Sequence, residues 1–238
     1  MIVIIIFKLK SYKMLASVLD LFFPKVCFAC QSQLTDFENY VCTSCRHNLP
    51  VTNFHFENDD YVLKTFYGRA KIEQATALLR FEKKSITQQL IHNLKYKGYQ
   101  EIGVFLGKWL GEELKELDAY KSIDIVIPVP LHKKKLRKRG YNQVTKFGQE
   151  IALQLDVDYY DDVLIKITNT ASQVNKSRLS RWINNEELFA IQNKEKIQGK
   201  HILLVDDVIT TGATMEACIS VLNKAENVKI SLASMAIA

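Results

Sequence analysis

The chain has 238 residues, of which 47% are hydrophobic and 24% are charged. This balance excludes a disordered chain, and the length allows one good-sized core with a small additional module. The formal net charge is +6, and the stretch HKKKLRKRG at residues 132–140 accounts for it, because it holds six Lys and Arg residues and no acid. The basicity is therefore local and not a general property of the chain.

The first residues, MIVIIIF, form an apolar run that is much too short to span a bilayer. Its lysines follow the run and no small-residue cleavage site comes after it, so the pattern of a secretory signal is missing. We interpret residues 1–13 as an added apolar segment or an over-extended start. Helical spacing over residues 15–22 ends at Pro24. The segment 1–24 is therefore predicted to be an apolar extension and a helix, on a cytoplasmic protein without a membrane span.

Two C-x-x-C pairs follow, Cys27 with Cys30 and Cys42 with Cys45, separated by eleven residues. Four thiolates in two such knuckles are typical of a tetrahedral structural zinc site. Two disulfides are the alternative, which a reducing compartment disfavours. We therefore predict a zinc-binding module over residues 25–58, and we expect the fifth cysteine, Cys218, to pack in the core.

A strand and two helices are predicted next. The strand is IEQATALLRFE, residues 72–82. Ser85 and Gln88 form a capping box, so a helix begins there and stops by Gly98. A second helix begins near Glu101, with apolar residues at helical spacing as far as Leu117. The lysines of KYKG, residues 95–98, lie between the two helices, where loop lysines are usually solvated.

IDIVIPVP, residues 123–130, is predicted to be a buried strand that ends at its prolines. The basic stretch follows as a loop, and helical spacing resumes at Val144, Phe147 and Ile151. A cationic loop after a buried strand suits the binding of an anionic group. The alternative is a solvated run of charges.

Residues 201–225 combine a strand, two acids, a small polar loop and a helix. Ile202–Val205 reads as a buried strand that ends at Asp206 and Asp207. From Ala213 onward an apolar face predicts a helix, so residues 206–212 form the turn between them. Such a turn lies at the carboxyl edge of an α/β sheet, where ligands bind.

The composition of this turn indicates a phosphorylated sugar with a cation. Hydroxyl groups, a glycine and the free N–H groups of a helix start make a phosphate cradle, formed by Thr210, Thr211, Gly212, Ala213 and Thr214. Asp206 and Asp207 are expected at a solvent-exposed strand end, where they accept hydrogen bonds from sugar hydroxyls or face a divalent cation. The alternative is an acidic strand end followed by a threonine cap.

The run VDDVITTGAT resembles the signature with which type I phosphoribosyltransferases bind 5-phosphoribosyl-1-diphosphate (PRPP). The resemblance implies that Asp206 and Asp207 contact the ribose hydroxyls as the catalytic pair. It also implies that residues 210–214 wrap the 5-phosphate, and that the loop after the strand at 123–130, including Arg139, holds the diphosphate.

Further segments resemble the ComF proteins, a competence-linked family that joins an N-terminal zinc module to a phosphoribosyltransferase domain. They are KYKG, PVPLH, RGYNQ at 139–143, and the set Thr170, Gln173, Arg181, Asn184 and Phe189. The chain departs from that family at Lys166, where an arginine is usual, and at Lys176. The resemblance implies an α/β domain over residues 59–238, with a mainly parallel sheet flanked by helices, after a small zinc-ribbon-like module.

Two functions follow from these observations. The first is a phosphoribosyltransferase that binds PRPP with Mg²⁺ and displaces diphosphate at the anomeric carbon. The alternative is a non-catalytic competence factor that binds single-stranded DNA and uses the fold only for ligand binding. A zinc module with a basic stretch favours single-stranded DNA as a partner, and the resemblance adds other competence proteins. The sequence does not indicate the acceptor.

Overall fold

The computed structural model describes residues 24–57, 59–167 and 188–238. The predicted N-terminal helix lies outside the described residues, as do Thr170, Gln173, Lys176, Arg181 and Asn184. The chain divides into two compact units between Leu49 and Pro50, and the module limits of 25–58 and 59–238 stay a prediction. Every helix that the structure describes is too short or too polar to cross a membrane.

Over its described residues, 24–49, the first unit is loop-rich with one short helix, α1 (Thr43–His47). Glu38 ties its loops together, because the carboxylate accepts hydrogen bonds from the backbone N–H groups of Thr35 at 2.9 Å and Thr43 at 2.6 Å. These hydrogen bonds lower the pKa of Glu38 to about 2. The loop before α1 is thereby fixed to the start of the helix.

The second unit contains seven helices and seven strands among its described residues. In chain order they are α2 (Phe54–Glu57), α3 (Tyr61–Lys64), β1 (Ala75–Arg80), α4 (Ile86–Tyr96), α5 (Glu101–Lys115), β2 (Ile125–Pro128), α6 (Lys133–Arg139), α7 (Thr145–Leu155), β3 (Asp158–Tyr159), β4 (Leu164–Lys166), β5 (Phe189–Ile191), β6 (His201–Ile209), α8 (Ala213–Leu222) and β7 (Lys229–Ile237).

Five of these strands form a parallel sheet in the order β1-β7-β6-β2-β3, and β4 and β5 form a separate antiparallel pair. The central strands β2, β6 and β7 are buried almost throughout, as expected for a parallel sheet covered on both faces. The predicted mainly parallel sheet flanked by helices is confirmed, and so are its strands near residues 123, 202 and 228.

Helices α5 and α7 pack unusually closely because glycines face the contact. A Cβ atom at Gly107 would lie 2.5 Å from the carbonyl oxygen of Phe147, and one at Gly111 would lie 2.9 Å from the side chain of Gln154. The spacing predicted the α5 helix and its apolar stripe, but not that glycines bring its backbone against α7. This contact fixes the position of α7, and therefore also of Gln143, which lies just before α7 in the chain.

Three local predictions need correction. The basic stretch is mainly a helix, α6, and not a loop. Lys95 belongs to the last turn of α4 rather than to a connection between helices. Strand β6 continues through the two acids to Ile209, so the turn before α8 is shorter than predicted. The predicted capping box is correct only in its first half: Ser85 caps α4, but the Gln88 side chain accepts from the N–H of Lys84 and not from that of Ser85.

Candidate functional site

The candidate site lies at the carboxyl edge of the parallel sheet, on strand β6. Pro128 at the end of β2 pairs with Val205, so the chain that leaves β2 starts beside Asp206 and Asp207. Pairing with β7 continues to Ile209, which keeps both acids inside the sheet. Asp206 and Asp207 are only 8% and 5% exposed. The predicted solvent-exposed strand end is therefore wrong.

Both carboxylate oxygens of Asp207 have partners. Lys95 of α4 forms an ion pair with Oδ1 at 2.8 Å, and the Gln143 amide donates to Oδ2 at 2.6 Å. The oxygen of the same Gln143 amide accepts from the guanidinium of Arg139. A chain of contacts therefore connects the acid on β6 to α4 and to the C-terminal end of the basic helix α6.

Asp206 has a different environment, because its hydrogen bond is to the backbone of its own strand and not to α4 or α7. Its Oδ1 accepts from the N–H of Asp207 at 2.8 Å. Burial, and next the charge of Asp207, raise the pKa of Asp206 to about 8, while Lys95 and Lys166 act in the opposite direction. The positive charges of Lys95 and Lys166 therefore do not fully offset the cost of burying a negative charge on Asp206.

The predicted phosphate cradle lies directly after β6, at residues 210–214. Gly212 caps α8 with a φ of +74°, and a Cβ atom there would lie 2.8 Å from the Phe66 ring. On the outer side, Arg69 donates to the carbonyl of Thr211 at 2.9 Å and forms an ion pair with Glu216 in the first turn of α8. The loop is thus held by packing below and by a guanidinium outside.

The cradle also has the electrostatic character that a phosphate requires. Because α8 begins at Ala213, its first backbone N–H groups have no carbonyl partners within the helix and carry a partial positive charge. The small cavity there is lined by residues 208–215 together with Asp206. An anionic group in the cradle would therefore meet backbone N–H donors and threonine hydroxyls.

A cationic cavity of about 360 Å³ lies between the end of α4 and helix α6. It is lined by four cations and two tyrosines: Lys95, Lys135, Lys138, Arg139, Tyr96 and Tyr141, together with Gly98. The Arg139 guanidinium stacks 5.6 Å from the centre of the Tyr96 ring. Lys135, Lys138 and Arg139 are spaced at i, i+3 and i+4, so one face of α6 supplies all three cations.

Two further cavities adjoin the site. One of about 340 Å³ includes Asp207, Thr210 and Lys95, with Phe81, Ile91 and Tyr96 among its other walls. Another of about 280 Å³ includes Lys133 of α6 and Lys166 of β4. The Lys166 ammonium lies 4.8 Å from the centre of the Phe189 ring, and burial lowers its pKa. The edge of the sheet is thus surrounded by cations on the β2 side.

The structure brings most of the predicted site residues together. Asp206, Asp207 and the 210–214 loop adjoin each other on β6 and α8, and Arg139 reaches Asp207 through Gln143. Sequence reasoning missed the direct partners of Asp207, namely Lys95 and Gln143. Both lie inside the short segments KYKG and RGYNQ, so the signal was present, but no spacing in the sequence connects them to an acid far along the chain.

The first unit contains a separate candidate metal site. The sulfur atoms of Cys27, Cys30, Cys42 and Cys45 all lie within 4.8 Å of one another. The 3.7 Å between the Cys30 and Cys42 sulfurs matches the distance of about 3.8 Å that follows from four sulfurs placed tetrahedrally at about 2.3 Å from zinc. These four cysteines could therefore hold a structural metal such as zinc.

Hydrogen bonds around this cluster support thiolate ligands. The Cys27 sulfur accepts from the backbone N–H of Cys42 at 3.3 Å, and the Cys42 sulfur accepts from that of Cys45 at 3.4 Å. A hydrogen bond with Ser32 lowers the pKa of Cys30 to about 6, whereas burial raises the pKa of Cys45. By contrast, Cys218 is fully buried in α8, as expected for a core residue.

Comparison with known proteins finds a match to one family model and several relatives named for competence or DNA utilization. A family model described as a phosphoribosyl transferase domain matches residues 145–236. Competence protein F of Haemophilus influenzae is 30% identical over 113 residues, which cover 47% of this chain and 49% of that protein. The DNA utilization protein YhgH of Escherichia coli K12 is 26% identical, covering 80% of each chain. Competence protein ComFC of Bacillus subtilis is 25% identical, covering 80% of this chain and 75% of the other.

Two matches among solved structures are an adenine phosphoribosyltransferase and a glutamine PRPP amidotransferase. Adenine phosphoribosyltransferase from Saccharomyces cerevisiae is 20% identical, with a TM-score of 0.37, and the match covers 63% of this chain and 74% of that chain. The glutamine PRPP amidotransferase of B. subtilis is 16% identical, with a TM-score of 0.41, and the match covers 59% of this chain and 30% of the other.

The raised pKa of Asp206 predicts a stability that falls with pH in the ligand-free protein. A carboxyl group whose pKa is raised by folding stabilises the fold fully below its unfolded pKa of about 4, and this contribution is lost as the pH rises through about 8. Urea unfolding of the parent and of Asp206→Asn at about pH 5 and about pH 8 measures the effect. Between these two pH values, the free energy of unfolding of the parent should fall by more than about 1.4 kcal/mol relative to that of the variant. This difference is the equivalent of one pKa unit.

The matched control for this experiment is Asp161→Asn, which removes the same charge from an exposed position. Its difference from the parent should change less between the two pH values. If the difference between the parent and Asp206→Asn stays constant over this range, the assignment of a raised pKa to Asp206 is wrong.

Proposed function

The chain belongs to the ComF family and has the type I phosphoribosyltransferase fold, and from this premise we propose that its α/β unit binds PRPP together with Mg²⁺. The observation that carries this proposal is the arrangement at the sheet edge. A phosphate cradle adjoins two buried carboxylates, and a cationic cavity lies on their other side. PRPP has the matching order, with a phosphate, a ribose and a diphosphate.

Each part of the ligand then meets a group of suitable chemistry. The 5-phosphate binds the N–H groups and hydroxyls of residues 210–214, and the ribose hydroxyls donate hydrogen bonds to Asp206 and Asp207. The diphosphate meets the face of α6 that carries Lys135, Lys138 and Arg139. Arginine and lysine both bind phosphate oxygens well, and a desolvated cavity strengthens such contacts.

Magnesium fits the two carboxylates. Mg²⁺ commonly takes one or two carboxylates, and substrate phosphates and water complete its coordination. The pKa of Asp206 is raised by burial and by the neighbouring Asp207, so an added divalent cation would stabilise the ionised form of Asp206. Asp206 and Asp207 would hold the ion, which would supply positive charge to the departing diphosphate.

The chemistry that this arrangement supports is displacement of diphosphate at the anomeric carbon, through a state with oxocarbenium character. The chain contributes by fixing both ends of the ligand and by stabilising the negative charge that develops on the leaving group. Through the roles named for its relatives, competence and DNA utilization, we extend the proposal to a function in DNA uptake or use, with other competence proteins as partners.

A second candidate function is the binding of single-stranded DNA, and the division of charge on α6 favours it. All of its residues are at least partly exposed, and only some of its cations line the diphosphate cavity. Lys134 and Arg137 are exposed, lie three residues apart, and are not among the residues that line that cavity. These two cations are available to a nucleic-acid backbone while the cations that line the cavity hold the diphosphate.

Calorimetric titration with PRPP and Mg²⁺ tests the proposed ligand. The parent should bind, and Asp206→Asn should bind about tenfold more weakly or worse, because a hydrogen bond to a charged group contributes about 1.5–3 kcal/mol. This single substitution leaves the pair between Lys95 and Asp207 intact. Asp118→Asn, which removes an exposed carboxylate, should bind like the parent. Absence of binding by the folded parent would overturn the proposal.

Zinc in the first unit is tested by metal analysis of protein purified without chelator. We expect one zinc per chain, lost in Cys42→Ala and retained in Cys218→Ala, which removes a thiol from the core of the other unit. Structural zinc contributes on the order of 10–16 kcal/mol of apparent binding free energy, so the metal should survive dialysis. A parent chain that contains no zinc would refute the assignment.

The salt dependence of DNA binding tests the second candidate. Each phosphate neutralised on a single strand contributes a slope of about −0.7 in a plot of log affinity against log salt. Lys134→Gln with Arg137→Gln should therefore flatten the slope by roughly 1.4 and leave PRPP binding unchanged. An unchanged affinity and slope would show that Lys134 and Arg137 do not contact DNA.

A further inference from the structure

Lys95 contacts both sides of the candidate site. Its ammonium pairs with Asp207 at 2.8 Å, and its side chain remains 24% exposed. It lines the cavity that contains Asp207 and Thr210, and it also lines the cationic cavity with Lys138 and Arg139. One flexible side chain therefore forms a shared wall between the place of the ribose and the place of the diphosphate.

Each carboxylate oxygen of Asp207 can accept two hydrogen bonds, but the residue is only 5% exposed, so a new partner competes for space with an old one. Lys95 occupies Oδ1 and Gln143 occupies Oδ2. Gln143 is buried and is held in turn by Arg139, so its removal would break two contacts. Lys95 is the more exposed partner and has a four-carbon stem, so it is the one that a ribose hydroxyl or a cation displaces.

The surrounding charges give the Lys95 ammonium two alternative positions. When the cationic cavity holds no anion, Lys135, Lys138 and Arg139 repel a fourth cation and favour its pair with Asp207. When a diphosphate enters, its negative charge attracts the Lys95 ammonium into the same cavity. The backbone of α4 is fixed meanwhile, because the Tyr141 hydroxyl donates to the carbonyl of Leu94. Only the side chain has to move.

We propose that Lys95 is an exchangeable counter-ion, which neutralises Asp207 in the ligand-free protein and transfers to the diphosphate when the ligand binds. This inference rests on the proposed PRPP function and identifies Lys95 as a ligand-binding residue in it. The exchange exposes Asp207 only when the anion has arrived. It therefore makes binding at the carboxylates depend on binding at the cationic cavity.

The test uses Lys95→Met and two simple probes, Mg²⁺ alone and inorganic diphosphate alone, each followed by calorimetry on the full chain. Removal of the ammonium frees Asp207, so Mg²⁺ should bind about tenfold more tightly. Inorganic diphosphate should bind about tenfold more weakly, since a charge-assisted hydrogen bond is lost. The opposite signs distinguish an exchanged lysine from one that acts at a single place.

Lys97→Met is the matched control, since it removes the same charge from an exposed position two residues away; it should change either affinity less than about threefold. Lys95→Arg, which keeps the charge, should return both affinities toward those of the parent. In an Asp207→Asn background, Lys95→Met should no longer tighten Mg²⁺ binding. Thermal unfolding confirms that each variant is folded.

Three results would overturn the exchange: unchanged Mg²⁺ affinity in Lys95→Met, unchanged affinity for diphosphate, or equal changes in Lys97→Met. A parent chain that binds Mg²⁺ and diphosphate, but not PRPP, would overturn the proposed function instead. Because the two simple probes contain no ribose, they test Lys95 independently of that outcome.

Discussion

The site depends on the neutralisation of one buried carboxylate. Burial of an ionised carboxyl group without a partner costs far more than a single hydrogen bond returns. Asp207 is 5% exposed, and it is accommodated because Lys95 and Gln143 reach it from 112 and 64 residues away in the chain. The contacts with Asp207 therefore hold the end of α4 and the residue before α7 against β6. The site exists only in the folded unit.

Close packing between α5 and α7 keeps Gln143 in position beside Asp207. Gly107 and Gly111 let α5 approach the backbone of α7, and α7 follows directly after Gln143. The position of the amide that binds Asp207 is thus set by a contact between helices that carries no charge. Rigid elements under a ligand site keep its hydrogen-bonding groups in place, which matters because small displacements weaken such sites strongly.

Much of the fold could be predicted because its periodic patterns are strong. The buried strands, the cap at Ser85, the helix after Gly212 and the two cysteine pairs are all visible in local sequence. The errors have two causes, contacts between distant segments and one local misreading. A strand reads as ended when acids appear, but the pairing of β6 with β7 carries it to Ile209. Six neighbouring cations read as a loop, yet lysine and arginine are good helix formers, and the two faces of α6 have different surroundings.

Gly212 has a consequence for the order of events at this edge. Its positive φ, the Phe66 ring beneath it and the Arg69 contact outside it hold the loop in one conformation before any ligand arrives. A group that docks there loses little loop entropy, whereas the Asp207 side of the site must first give up an ion pair. The phosphate end of a ligand can therefore anchor at once, and this tethering raises the effective concentration of the other end beside Lys95.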